Sequence, residues 1–219
     1  MAAADEGAQD PQTEAFPWPP VEEENVIFAA GETWRSSLFE PSRFYRAMPS
    51  HGYLSALAYY LPLSIIGAAL ELFWRSSFDA LGFSWPLDRL WRAAPAANPA
   101  LDRLLGFLIS PLTALAALLL IAATLHATLK LLGAARRPFV ATTRVLAFAA
   151  GTQLFLIVPV LGTLLALVWS AVLTVVGLRE VQQTSTARAL VALLIPTVLL
   201  GIAVTLMMAL VRALGISAL

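Results

Sequence analysis

Apolar residues along the chain fall into four long stretches separated by short polar ones. Three are about Tyr53 to Trp74, Leu104 to Leu129 and Ala189 to Val211. The fourth runs from Val145 to Leu178 without one charge, bounded by Arg144 and Arg179. A helix crossing a hydrocarbon core of about 30 Å needs roughly 20 apolar residues, so each stretch is long enough to span a membrane. The run from Val145 to Leu178 is too long to do so once. As one straight helix it would measure about 51 Å, which no ordinary tilt accommodates. Pro159 and Gly162 lie at its centre. Proline disfavours helix in the residue before it, and glycine tolerates a left-handed turn. The run is therefore predicted to be a tight hairpin of two spans, about 145–159 and 162–178. The expected fold is all-α, a polytopic bundle of five transmembrane helices over 53–219.

Two segments mix aromatic and charged residues. The first, 27–52, contains "TWRSSLFEPSRFYRAMPSHG". It is expected to lie as an amphipathic stretch on the inner leaflet. The second, 78–103, carries Phe83, Trp85 and Trp91 among charges and is expected against the outer surface. Both read equally as plain amphipathic connectors.

Composition agrees with a membrane protein. Of the 219 residues 59% are apolar and 13% charged. That is about half the charged share of a soluble protein. The chain has no cysteine. Disulfides, thiolate metal sites and cysteine nucleophiles are therefore excluded. Before Asn25 the chain holds Asp5, Glu6, Asp10, Glu14, Glu22, Glu23 and Glu24 and no Lys or Arg. The segment 1–26 is accordingly read as a disordered acidic tail. Cations set the orientation. With the N-terminus inside, five spans place Arg35, Arg43, Arg46, Lys130, Arg136, Arg137, Arg144, Arg179 and Arg188 in the cytoplasm. Arg75, Arg89, Arg92, Arg103 and Arg212 then lie outside, nine against five. The C-terminus is expected on the periplasmic or exoplasmic side. All the basic residues but Lys130 are Arg, and this with the abundant Ala suggests a GC-rich bacterial genome and an inner-membrane location.

No HExxH, GxSxG, P-loop or GxGxxG occurs, so no enzyme and no cofactor is expected. Two histidines without a third ligand do not make a zinc site. Ionisable residues inside spans are costly and often functional. His126 either reaches the inner interface, hydrogen-bonds a neighbouring helix, or works on a polar path. Glu71 pairs with Arg75 one helical turn on, or serves as a carboxylate on a substrate path. Gln153 is read as an interhelical hydrogen bond. Arg136, Arg137 and Arg144 form a cluster that binds anionic lipid or an acidic partner, or simply holds its loop inside. Small residues recur every fourth position, Gly162, Ala166, Ser170 and Thr174 in one span and Thr197, Gly201, Thr205 and Ala209 in the next. Each set is a narrow face suited to close helix packing, within one chain or between copies in a homo-oligomer. Pro62, Pro111 and Pro196 are expected to bend their spans.

Three stretches together resemble one family. "LFEPSRFYRAMPSHG" is similar to the lead-in segment of bacterial Yip1 domain proteins. "HATLKLLGAARRPFVATTRVLAFAAG" resembles that family's basic loop between spans two and three. "IVPVLGTLLALVWSAVLTVVGLREV" resembles its third-to-fourth hairpin. The resemblance covers about residues 27 to 212. It implies five spans, a cytoplasmic N-terminus and a short C-terminus on the far side. Eukaryotic members are tied to vesicle traffic and small Rab-type GTPases. This chain lacks the Asp-Leu-x-Gly-Pro-like segment those proteins carry, so a Rab partner is not carried over. The expected function is a non-enzymatic membrane adaptor or organiser with a cytoplasmic protein partner, lipid contacts and no nucleic acid. The alternative is a small oligomeric transporter or channel using Glu71 or His126.

Overall fold

The computed structural model describes residues 16–20, 25–83 and 98–213. Among the described residues every regular element is helical. Helix α1 (Val26–Phe39) is capped by Asn25, whose side chain accepts from the Ile27 N–H at 2.9 Å. Helix α2 (Pro41–Ala47) opens on proline, which loses no bond at a first helical position. Gly52, at φ 85°, then turns the chain into α3 (Tyr53–Ala80). Helix α4 (Pro99–Leu131) is capped by Asn98 and ends before Gly133 at φ 63°. Helix α5 (Phe139–Ala149) continues as a 3-10 helix over Ala150–Ile157. Helices α6 (Leu161–Val181) and α7 (Thr186–Ala213) are the last described elements.

Five helical segments are long and apolar enough to cross a membrane: Tyr53–Ala80, Ala100–Leu131, Phe139–Ile157, Leu161–Val181 and Thr186–Met207. The long uncharged run does fold back on itself. Its first arm includes the Ala150–Ile157 3-10 stretch, unusually long for that kind of helix. A 3-10 helix rises about 2 Å per residue against about 1.5 Å in an α-helix, which stretches the third span to about 32 Å. The fourth span, 21 residues of α-helix, is about as long. The turn differs in detail from the expectation. Val160, not a glycine, takes the positive φ, at 62°. Gly162 already lies inside α6, where a Cβ would fall 1.9 Å from the Phe155 carbonyl oxygen. The glycine lets the two arms of the hairpin touch.

The third span is the centre of the bundle. Of its most apolar stretch 61% is buried, against 6% for the second and fifth spans. Its half nearest the α4–α5 loop shares one buried core with Tyr45, Leu129, Leu173 and Leu178, and Val145 and Phe148 on α5 are fully enclosed. Toward the end that carries the α5–α6 turn, α3, α4 and α7 leave their apolar side chains exposed, as lipid-facing helices do.

The amphipathic stretch forms α1 and α2. Val26, Ile27, Phe28 and Phe39 point outward while Leu38, Phe44, Tyr45 and Met48 are buried. It also reaches inward: Trp34 Nε1 donates to the Gly151 carbonyl and Trp169 Nε1 to that of Leu38. Residues 1–15 and 21–24 of the acidic tail lie outside the described residues. Phe16–Pro20, expected to be disordered with the rest, is packed instead. Phe16 packs at a tilt on Phe44 and edge-on against Phe148, and buried Trp18 donates to the Ser55 carbonyl. Aromatic residues there gain enough burial to fix a short strap. Most of the outer segment (84–97) is likewise outside the described residues; its flanks continue α3 and begin α4. Helices α3, α4 and α7 run on through Pro62, Pro111 and Pro196.

Candidate functional site

At the end of the bundle that carries the α4–α5 loop, a polar junction ties three spans. The His126 Nδ1 on α4 lies 3.0 Å from the Thr142 hydroxyl on α5. That hydroxyl accepts from Gln182 Nε2 just beyond α6, at 3.1 Å. Gln182 is fully buried, and its Oε1 accepts the Arg137 N–H at 2.7 Å. His126 thus bonds a neighbouring helix, one of the roles its position allowed. Gln182 went unnoticed in the sequence; the signal was an uncharged amide directly after the charged end of a span. It pins the loop so that the Arg136 and Arg137 side chains stay exposed.

Arg144 does not join them. It is 1% exposed, one and a half turns inside the third span. Its Nη1 donates to the Gly52 carbonyl and to Ser55 Oγ, and its guanidinium lies 5.3 Å from the Phe148 ring and 5.7 Å from Phe16. The three-arginine cluster is therefore a pair. More than a turn of helix carries Arg144 off the loop, where it fastens the start of α3.

Further contacts seat α2 on α6. Arg46 pairs with Glu180 at 3.3 Å, Arg179 pairs with the same carboxylate, and Arg179 donates to Ser42. Burial pushes the Tyr45 hydroxyl well above its ordinary pKa, the nearby Tyr59 adding to the shift, so Tyr45 stays neutral. At the opposite end of the bundle Glu71 and Arg75 form the expected pair at 2.9 Å. Arg103 and Asp79, 2.6 Å apart, tie α4 to α3.

Between these ends a cavity of about 950 Å³ opens among α3, α4, the 3-10 helix, α6 and α7. Its mouth, beside the α5–α6 turn, holds Glu71, Trp74 and Pro159; Thr174 marks its far end. His126 is not on it. Leucines and alanines make most of the wall. The wall's hydroxyls are largely engaged one turn back on their own helices. Thr152 donates to Ala149, Ser170 to Leu167, Thr174 to Ser170 and Thr197 to Leu193. The Tyr60 hydroxyl and the Trp74 indole also donate to carbonyls, of Ala114 and Leu156.

Gln153 is the exception. It lies on the cavity wall, and its carboxamide makes no hydrogen bond to the described residues. The expected interhelical bond is absent because the side chain lies across Gly67 of α3, where a Cβ would be 2.5 Å from its Oε1. A glycine backbone in mid-helix has no free donor to offer.

The two small faces do not close on one another either. Ala166, Ser170, Thr174 and Thr197 border the cavity, while Gly162 meets the hairpin partner. Gly201, Thr205 and Ala209 are exposed, and a Cβ on Gly201 would meet nothing within 4 Å. Helices α6 and α7 pack where Ala189 and Ala192 are fully buried, then diverge outward, leaving the cavity between them.

A family model, the Yip1 domain, matches residues 35–208. No curated protein and no solved structure matches the chain.

Proposed function

Because the chain belongs to the Yip1 domain family of multi-pass membrane proteins, we propose that it works as a non-enzymatic membrane adaptor or organiser. In this reading it resides in a bacterial inner membrane, N-terminus in the cytoplasm and C-terminus outside. The observation that carries it is the inner face. The Gln182 amide holds the loop in place and leaves Arg136 and Arg137 free to meet acidic partners or anionic headgroups. Helices α1 and α2 form a preorganised surface beside them, and preorganised surfaces bind at lower entropic cost. The acidic sequence before Phe16 joins the chain where Phe16 packs on Phe44, and in this reading its carboxylates compete for the same arginines. Its exposed pairs would be worth only about 0–1 kcal/mol each, so a partner displaces it easily.

The test is a chain lacking residues 2–14, which keeps the packed Phe16–Pro20 strap. It should insert and fold normally, yet crosslink in native membranes to a different set of proteins. An unchanged set removes the tail from the interaction surface.

A second reading, transport, is favoured by one observation, the cavity that reaches Glu71. Its apolar wall and engaged hydroxyls give a hydrated solute few partners. The absence of native cysteine makes the matter testable. Rapid reaction of Ser170→Cys with a small water-soluble thiol reagent would favour a water-filled path.

A further inference from the structure

The cavity poses a physical problem that its own walls do not solve. Gln153 belongs to the 3-10 part of the third span, which follows the whole of α5. The helical rise puts it about 22 Å from the inner end of that span, well within the hydrocarbon layer. An amide there without a partner is expensive, and bulk hydrocarbon chains supply none. The cavity's occupant must therefore bring a hydrogen-bonding group to Gln153 and an apolar body for the rest of the wall.

Three occupants can be compared. A transmembrane helix must run the full hydrocarbon thickness, about 30 Å. The cavity stops at Thr174, about 20 Å along α6 from the hairpin turn, too short a slot for it. Water satisfies Gln153 but would wet a wall of Leu118, Ile121, Leu125, Leu193 and Leu200. A water molecule is held where about 2–4 polar groups converge, and most hydroxyls of this wall already donate one turn back on their own helices. A lipid satisfies both requirements. Its chain is narrow and apolar, and its ester or amide linkage both accepts and, in the amide case, donates. Access is present as well. Leu120, Ile121, Leu167 and Leu200, on α4, α6 and α7, line the cavity and are exposed on the lipid side. At the outer mouth Trp74, an indole of the kind that marks the membrane interface, stands beside Glu71.

We propose that this cavity is a binding site for one lipid of the outer-facing leaflet, its acyl chain between α4, α6 and α7 and its ester or amide group on Gln153. The site does not depend on the adaptor reading; it stands or falls on what occupies the cavity.

Native mass spectrometry of the full chain, extracted in mild detergent, tests it. The wild type should carry one lipid that survives detergent exchange, and fragmentation should show an ester- or amide-linked chain. Ala166→Trp, which fills the cavity, should lower that retention at least tenfold. Val168→Trp, on the same helix but off the cavity, should not. Gln153→Leu, near-isosteric, should lower retention several-fold, and it decides the matter if Ala166→Trp fails to fold. A wild type without bound lipid overturns the proposal. So does lipid retained equally by the Gln153→Leu chain, which marks surface lipid only. A free fatty acid, lacking any ester, would overturn the assigned linkage to Gln153.

Discussion

Trp34 and Gly151, far apart in sequence, meet where the Trp34 indole N–H donates to the Gly151 carbonyl at 2.9 Å. Gly151 follows α5 in the 3-10 part of the third span. At the helical rise per residue it lies about 18 Å deep. The helical unit ahead of the first span is therefore held from within the bundle. A Cβ on Gly151 would come to 3.1 Å from Trp34 Cδ1 and 3.3 Å from the Tyr59 hydroxyl oxygen. Trp34→Phe keeps most of the ring and loses the bond, so it should cost about 1 kcal/mol. Gly151→Val pushes the indole away and should cost about 1–3 kcal/mol through overpacking. Thermal unfolding in detergent reads both. If each variant melts with the wild type, α1 is not anchored at Gly151.

Two glycines in the same small-residue pattern should respond oppositely. Gly162→Ala places a methyl against the Phe155 carbonyl, a backbone atom that cannot move aside without opening the hairpin. It should destabilise by several kcal/mol, beyond ordinary overpacking at about 1–3 kcal/mol. A methyl on Gly201 meets open space in a helix interior. Gly201→Ala should therefore stabilise by up to about 1 kcal/mol through propensity alone. Even Gly201→Leu should leave the isolated chain intact. Loss of stability in Gly201→Leu that appears only at high protein density in the bilayer would place that face between copies.

How far the sequence led depends on the length scale of each signal. The five spans were legible because each rests on a long apolar stretch, and the hairpin because the uncharged run from Val145 to Leu178 cannot cross once. The Glu71–Arg75 pair was legible because helical spacing decides it locally. What depends on how helices diverge was not. The repeat of small residues predicts that α6 and α7 can approach, but not that they part beyond Ala192 and leave a cavity. Arg144 looked like a loop cation because it follows Arg136 and Arg137; a turn of helix and a strap near the N-terminus make it a buried anchor. Gln153 was expected to bond another helix, and the position facing it is Gly67.

The division of the arginines leads to a binding prediction. Arg136 and Arg137 are exposed on the α4–α5 loop, and Arg144 is enclosed. Arg136→Glu with Arg137→Glu should lower affinity for anionic-lipid surfaces several-fold at low salt. The difference should shrink at about 0.15 M salt, where the Debye length falls to about 8 Å. Arg144→Met should leave this affinity unchanged. Microscale binding of lipid nanodiscs with and without anionic lipid to the detergent-solubilised chain compares them. An equal loss in the Arg144→Met chain would mean that all three arginines act together.

Orientation is open to a direct test, because a chain without cysteine accepts single reporters. The nine-to-five cation count leads to the expectation of an inside N-terminus, with the hairpin turn and the α3 end sharing the outer side. Val158→Cys sits in the turn, 49% exposed, and Phe83→Cys just past α3, 63% exposed. Ser185→Cys lies in the α6–α7 connection at the opposite end. An impermeant thiol reagent applied to intact cells with a permeable outer envelope should label Val158→Cys and Phe83→Cys and spare Ser185→Cys until the membrane is broken. The inverse pattern would flip the molecule, put Arg136 and Arg137 outside, and remove the inner-face argument for an adaptor. The whole of α6, Leu161–Val181, separates Val158 from Ser185. At the α-helical rise that is about 31 Å, so labelling of both positions from one side would be incompatible with a fourth span.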